Sequence, residues 1–346
     1  MAQVRRAVSE ALWAVCAADS MSMPVHWYYD IDDIKRDFGG WISGFCSPRD
    51  RHPSSILSLS NTAGSGRTAW SDVVAKWPDV VGNVILHNKL NLWKSSKGSV
   101  HYHQGLQAGD NTLNVLCSLR AARSLIAGRF SDVSQPDARA AVLSDYVHFL
   151  TTPGSHHDTY AESFHRSFFA AWQDSRPTSP CQVLTFAENR SRQLLSSSSA
   201  DSQLDAIGCL PMILPFILLS ASANEEQAVS AAVEFVKLTH PHPKVPEYVS
   251  IYSRALHAVL GGAGVRQQAE HALRRLDAWD TCQSYSRKAA RFPASSEERL
   301  KVHQGAVNYL GLGLLHQRSS VQPVLSGSRV SRRPQRRNPG EHQLWR

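Results

Sequence analysis

The chain has 346 residues, 42% hydrophobic and 19% charged, enough for a substantial core in one large domain or two small ones. The net charge of +8 sits mainly at the end, where residues 318–346 carry seven arginines against one acid, so the basic balance marks a tail and not a nucleic-acid-binding face. The six cysteines (16, 46, 117, 181, 209 and 282) form no Cys-x-x-Cys pair, which argues against a disulfide framework or a zinc ribbon and for buried, reduced thiols.

In chain order, residues 2–17 read as a helix with Val4, Ala7, Ala11, Leu12 and Val15 on one face. Ser9-Glu10 and Asp19 interrupt any secretory leader. Gly39 to Trp70 is rich in Ser, Gly, Pro and Arg and reads as a surface connection. The clearest helix covers 110–127, where Leu113, Leu116, Leu119, Ala122, Leu125 and Ile126 recur every three to four residues before Gly128. Further helices are expected near 137–150, 159–173, 180–195, 225–239, 245–260, 264–279 and 296–316.

The longest apolar run, AIGCLPMILPFILLSASA at 206–223, contains Pro211 and Pro215 and reads as a kinked, buried core helix, not a membrane span. SSSSADS at 196–202 reads as a flexible or capping loop, and Gly261-Gly262-Ala263-Gly264 as a turn. Strand-like alternation is nearly absent. The expectation is an all-α, multi-helical domain over 1–316, followed by a basic, disordered tail over 317–346. The tail interleaves no stacking aromatics among its arginines, so it reads as a passive extension, with no nucleic-acid role. A soluble, cytoplasmic protein is expected.

Gly109-Asp110-Asn111-Thr112 precedes the clearest helix. Asp110 suits an N-cap, whose side chain accepts the helix's orphan N–H groups. The same four residues also offer a carboxylate, an amide and a hydroxyl, the ligand types of a hard cation. His101-Tyr102-His103 and His156-His157 lack the spacing that places two imidazoles on one helix face, and read as surface or core histidines.

Three other segments bear on the choice: AADSMSMPVH at 17–26, DAIGCLPMILPFIL at 205–218, and Thr239-His240-Pro241-His242-Pro243 between two helices. In this order and spacing the four segments resemble the ADP-ribosylglycohydrolase family. The first is similar to its G-D-A-L-G-x-P-x-E stretch, Gly109-Asp110-Asn111-Thr112 to its T-D-D-T metal motif, and 205–243 to its G-x-x-M-R-x-x-P helix start and T-H-x-x-P turn. The resemblance covers about residues 5–315.

The resemblance implies a helical domain with a two-metal Mg²⁺ or Mn²⁺ site that cleaves the glycosidic bond joining ADP-ribose to a protein side chain or related group. The implied partner is an ADP-ribosylated protein or an ADP-ribose derivative. Carried over, Asp110, Asn111 and Thr112 become the metal ligands, with Asp110 and Asn111 also the catalytic pair. His240, Asp19 and Gly208 become substrate-binding residues.

The departures are specific. Asn111 stands where the family has a second aspartate, Gly109 replaces the opening threonine, and His26 replaces an acid. No D-x-D-[ST] follows residue 300, where the family carries its remaining metal ligands. This points to an altered or truncated C-terminus and to a weakened or lost metal site. Two expectations follow: a hydrolase of reduced activity, or a non-catalytic ADP-ribose-binding or scaffold member of the same fold.

Overall fold

A computed structural model describes residues 2–55, 57, 78–93, 99–130, 132–196 and 204–310. Among them there is no β-strand, only an isolated bridge between Arg51 and Val100. The all-α expectation holds. The arginine-rich tail, the SSSSADS loop apart from Ser196, and most of the second half of the 39–70 connection lie outside the described residues.

The helices are α1 (Ala2–Ser22), α2 (Ile31–Phe38), α3 (Leu113–Gly128), α4 (Pro136–Thr151), α5 (Ser163–Trp172), α6 (Pro180–Ser196), α7 (Cys209–Leu219), α8 (Glu225–Thr239), α9 (Val245–Leu260), α10 (Val265–Arg275), α11 (Trp279–Ala289) and α12 (Glu297–Leu310). A π-helical turn at Pro78–Ile85 and 3₁₀ turns at Met23–Val25 and Leu90–Trp93 complete the set. No described helix is long and apolar enough to cross a membrane.

Local chemistry sets several boundaries. Asp30 caps α2 by accepting from Asp32 N at 2.9 Å, and Gly39 ends it at φ 74°. Asn224 caps α8 through Gln227 N at 2.8 Å. Proline follows the first residue of α9 and opens α4, where a missing N–H costs nothing.

The apolar run 206–223 becomes α7. Cys209 and Met212–Leu218 are buried, and the helix packs against α3, α8 and α9 with an apolar residue at every position. Pro215 inside it leaves the Pro211 carbonyl without its helical N–H. Phe216 stacks on Phe235 of α8 at 4.5 Å between centroids, and Phe164, Phe168 and Phe169 of α5 complete the aromatic core. Each such ring contributes about 1.5–3 kcal/mol by leaving water.

Several boundaries, and one element, differ from the sequence expectation. The 264–279 helix breaks at Asp277, which takes φ 52°, and a separate α11 follows. The polar composition of α11, WDTCQSYSRKA, hides its period. The short α2 was equally invisible to apolar spacing, because it buries no residue completely. The 159–173 helix begins only at Ser163, because residues 158–162 turn to form one wall of a cleft. The helix expected from 110 begins at Leu113.

Candidate active site

The start of α3 has amide protons with no partner inside the helix, and two carboxylates distant in sequence accept them. Asp19, near the end of α1, accepts from Thr112 N at 2.7 Å and from Thr112 Oγ1 at 2.8 Å. Asp158 accepts from Leu113 N at 2.9 Å. The positive end of the helix favours both anions. Asp110 does not cap α3 as its position suggested. Thr112 occupies the N-cap, and Asp110 instead accepts from Gln107 N at 2.8 Å to close the preceding turn. That turn uses Gly109 at φ 94°, held by Ser20 Oγ donating to Gly109 O at 3.1 Å.

Asn111 faces α1. Its Nδ2 donates to Cys16 O at 2.7 Å, Ser20 Oγ at 2.9 Å and Asp19 Oδ2 at 3.0 Å. The first and last of these groups can only accept, so the nitrogen and not the oxygen of the carboxamide must point at them.

These contacts test the fit to a hard cation. Such an ion needs lone pairs converging on it. Asn111 presents N–H groups, the Thr112 hydroxyl donates to Asp19, and the Asp110 carboxylate is turned to Gln107. Among the described residues no group of three His, Cys, Asp or Glu side chains is placed to hold a metal ion. Asp110, Asn111 and Thr112 are adjacent, yet their donor set does not fit Mg²⁺ or Mn²⁺.

A cavity of about 410 Å³ opens beside this helix start. Its walls come from the end of α1 (Asp19), the following turn (His26, Trp27), the start of α3 (Thr112, Asn114), the segment 158–162, the start of α7 (Gly208, Leu210, Pro211) and Tyr252 of α9. Asp19, Thr112 and Gly208 of the sequence candidates therefore line it. Asp110 and Asn111 do not.

His240 is also elsewhere. It is fully buried, packs on Phe164 at 4.1 Å between ring centroids, and hydrogen bonds to Thr239 Oγ1 at 2.9 Å. Burial lowers its pKa to about 3, so it is a neutral core imidazole.

Glu162 was not foreseen from the sequence. Its Oε1 accepts from Asn114 Nδ2 at 2.6 Å. Asn114 Oδ1 contacts His165 Nε2 at 3.0 Å, and His165 Nδ1 contacts the Tyr146 hydroxyl at 2.7 Å. Asn114 has only its amide nitrogen to give the carboxylate, so its oxygen accepts from His165 Nε2–H. His165 Nδ1 then accepts from the Tyr146 hydroxyl. Every donor in the chain Tyr146–His165–Asn114–Glu162 points toward the cavity. Burial raises the Glu162 carboxyl above its ordinary range, against the opposing Asn114 bond. Gly208 faces this group: a Cβ there would lie 2.2 Å from Glu162 Oε2.

A second chain approaches the same cavity. Asp158 Oδ1 is 2.8 Å from His103 Nδ1, and His103 Nε2 is 2.9 Å from His26 Nδ1. With Asp158 ionised, His103 donates to it through Nδ1, and the His103 Nε2–His26 Nδ1 hydrogen bond carries the chain on to His26. Burial alone would raise the Asp158 carboxyl. His103 and the amides of Leu113 and Tyr160 outweigh it and hold the group below its ordinary value. His26 is lowered to about 3 by burial and then by His103. Thus His103, expected only as a surface or core histidine, is buried and also links a carboxylate to the cavity. The sequence signal for this wall was His157-Asp158-Thr159-Tyr160-Ala161-Glu162, two acids just before a helical run, which are easily dismissed as helix-start residues.

The family model described as ADP-ribosylglycohydrolase matches residues 1–315. The chain belongs to the ADP-ribosylglycohydrolase family. No curated protein and no solved structure matches it. The matched span contains the whole described cleft, from α1 to α9, so its carboxylates and histidines are those of a family member.

Proposed function

We propose that the chain is a hydrolase of the glycosidic bond between ADP-ribose and its acceptor, with Glu162 as the proton donor. The observation that carries this reading is the contrast between two carboxylates on one cavity. Glu162 is raised by burial, and Asp158 is held ionised by His103 and two backbone amides. Environments that push two carboxyls apart are the arrangement that splits acid and base roles in glycoside hydrolysis.

In this reading Glu162 gives its proton to the leaving atom as the bond to ribose C1 breaks. Water supplies the hydroxyl to C1 and releases its proton to solvent, while the ionised Asp158 stabilises the positive charge that develops on the sugar. His103 and Asp158 orient His26, while Asn114 and His165 orient Glu162. The uncharged Asn111 and the engaged Thr112 make the reaction independent of Mg²⁺ and Mn²⁺.

A second reading, an ADP-ribose-binding member without catalysis, draws on the same Asn111 contacts, which tie the helix start into a finished structural network. One experiment covers both. Release of ADP-ribose from ADP-ribosyl-arginine and ADP-ribosyl-serine peptides is followed in EDTA, Mg²⁺ or Mn²⁺, beside calorimetry with ADP-ribose. Turnover in EDTA that falls about 10²-fold or more in Glu162→Gln supports the hydrolase. Turnover unchanged in Glu162→Gln refutes the assignment. Binding without turnover supports the second reading.

A further inference from the structure

Two buried imidazoles hold the turn that forms one wall of the cleft. His52 Nε2 lies 2.8 Å from His26 O, and His101 Nε2 lies 3.1 Å from Pro24 O. On the other edge of each ring, Nδ1 accepts the backbone amide two residues on, from Ser54 N at 3.1 Å and His103 N at 3.0 Å. A carbonyl only accepts and an amide N–H only donates, so each ring is neutral and carries its proton on Nε2. Both side chains are fully buried. A second proton would have to enter at Nδ1, head-on against the amide N–H already there.

The turn is one that needs holding. Trp27 takes φ 61°, a left-handed conformation that a bulky residue adopts only under constraint. Its ring packs on Tyr102 at 4.5 Å and on Tyr160 at 5.0 Å between centroids. The carbonyls held by the imidazoles lie just before it in the chain, and His26 and Trp27 both line the cavity.

We infer that His52 and His101 are positioning residues of the cleft: as neutral imidazoles they clasp the wall at 24–27, and mild acid, by protonating them, releases that wall ahead of the helical core. Burial is the first cause that disfavours their charge, and the neighbouring histidines add to it for His101, which is lowered to about 3. Asp33 and Asp37 of α2 oppose this at His52, and Asp158 opposes it at His101, without overcoming it. The neutral rings of Tyr28 and Tyr102 pack on His52 at 4.2 and 5.5 Å. An opened turn, with imidazoles near their ordinary value of about 6.5, therefore binds protons that the closed turn rejects. Closure is complete above that value and weakens as pH falls below it. The inference goes beyond the hydrolase reading, since it uses the geometry of the cleft wall and needs no substrate.

The test is amide hydrogen exchange of the full chain by mass spectrometry at pH 7.5 and 6.0, corrected for the intrinsic rate. Each histidine that takes its proton only in the open turn lowers protection about 4-fold over this range. His26 rides on the turn and is itself held neutral, so the wild type should lose about 50-fold at the amides of His26 and Tyr28, which bond to Met23 O and Val25 O. The double variant His52→Gln/His101→Gln keeps a donor and an acceptor at each place but takes no proton, and should lose only about 4-fold. Each single Gln variant should lose about 15-fold. The amides of α9 should stay more protected than the turn at both pH values.

Equal protection of the turn and α9 overturns the inference, because the turn would then open only with the whole fold. So does a wild-type turn whose protection ignores pH, or a double variant that loses as much as the wild type. Should the double variant not fold, the single variants decide, and one that keeps the full wild-type loss removes its histidine from the clasp. Absent hydrolysis bears on the hydrolase reading alone.

Discussion

Replacing Asp158 by Asn probes the junction on which both the fold and the cleft depend. The carboxylate accepts Leu113 N on one oxygen, and His103 Nδ1 and Tyr160 N on the other, at 2.8–3.0 Å, with no exposed surface. An amide has one oxygen, so in either orientation its NH₂ meets at least one N–H donor head-on. The charge that stabilises the start of α3 is also lost. Each bond to a charged group contributes about 1.5–3 kcal/mol, and a buried N–H left without a partner costs about 1–3 kcal/mol. The expected loss is about 3–5 kcal/mol, the range for breaking a buried ionic network.

Urea unfolding of the full chain at pH 7 should show a lower midpoint at unchanged slope. The pH dependence adds a second check. The folded pKa of Asp158 lies below its unfolded value of about 3.9. The carboxylate's contribution is therefore complete above that value and is lost as pH falls through the folded pKa. The gap between wild type and variant should stay constant from pH 7 to 5 and narrow in stronger acid. A variant within about 1 kcal/mol of the wild type at pH 7 would refute the assigned hydrogen bonds, since one lost bond alone exceeds that.

Three further substitutions address the opposite wall. Gly208→Ala places a methyl 2.2 Å from Glu162 Oε2 and should displace that carboxyl, at a stability cost of about 1–3 kcal/mol and with loss of ADP-ribose binding by calorimetry; unaltered binding would argue against Glu162 as part of the site. Tyr146→Phe strands His165 Nδ1 and should cost about 1–3 kcal/mol in urea unfolding while leaving the cavity shape intact. Glu162→Gln retains the Asn114 bond but cannot ionise. The folded pKa of Glu162 is raised, so the native state disfavours its charge increasingly as pH rises through that pKa. The Gln variant should therefore gain on the wild type in urea midpoint as pH rises from the unfolded value of about 4.3 through the folded pKa, and a difference that stays constant across the whole rise from acid to pH 8 would contradict the raised pKa.

The fold was largely legible because its core helices carry strong apolar periods. The reading 225–239 matches α8 and 245–260 matches α9. Elements without a buried stripe were missed, as α2 and α11 show. The cleft was legible only on one side. Asp19, Thr112 and Gly208 lie in quoted motifs and do line the cavity. Glu162 and Asp158 escaped because their significance is relational. Glu162 is 48 residues from its partner Asn114, and Asp158 is 55 residues from His103. No local spacing records such pairings. The turn motif places the His240 ring in the core against Phe164, outside the lining of the cavity.

The stretch 109–114 unites these points, because consecutive residues there serve different partners. Asp110 closes its own turn, Asn111 binds α1, Thr112 and Leu113 offer their amides to Asp19 and Asp158, and Asn114 aims Glu162. A helix start is suited to this division of labour. Its first amides are free to hold acids, while side chains just before and within the first turn fan out in separate directions. Asp19 and Asp158 both face this helix start. Here each receives its own helix amide, and Asn111 supplies a further donor to Asp19, so the charges are compensated within the chain. The remaining carboxyl, Glu162, gets one neutral amide and burial, which is why it alone is raised and free to carry a proton.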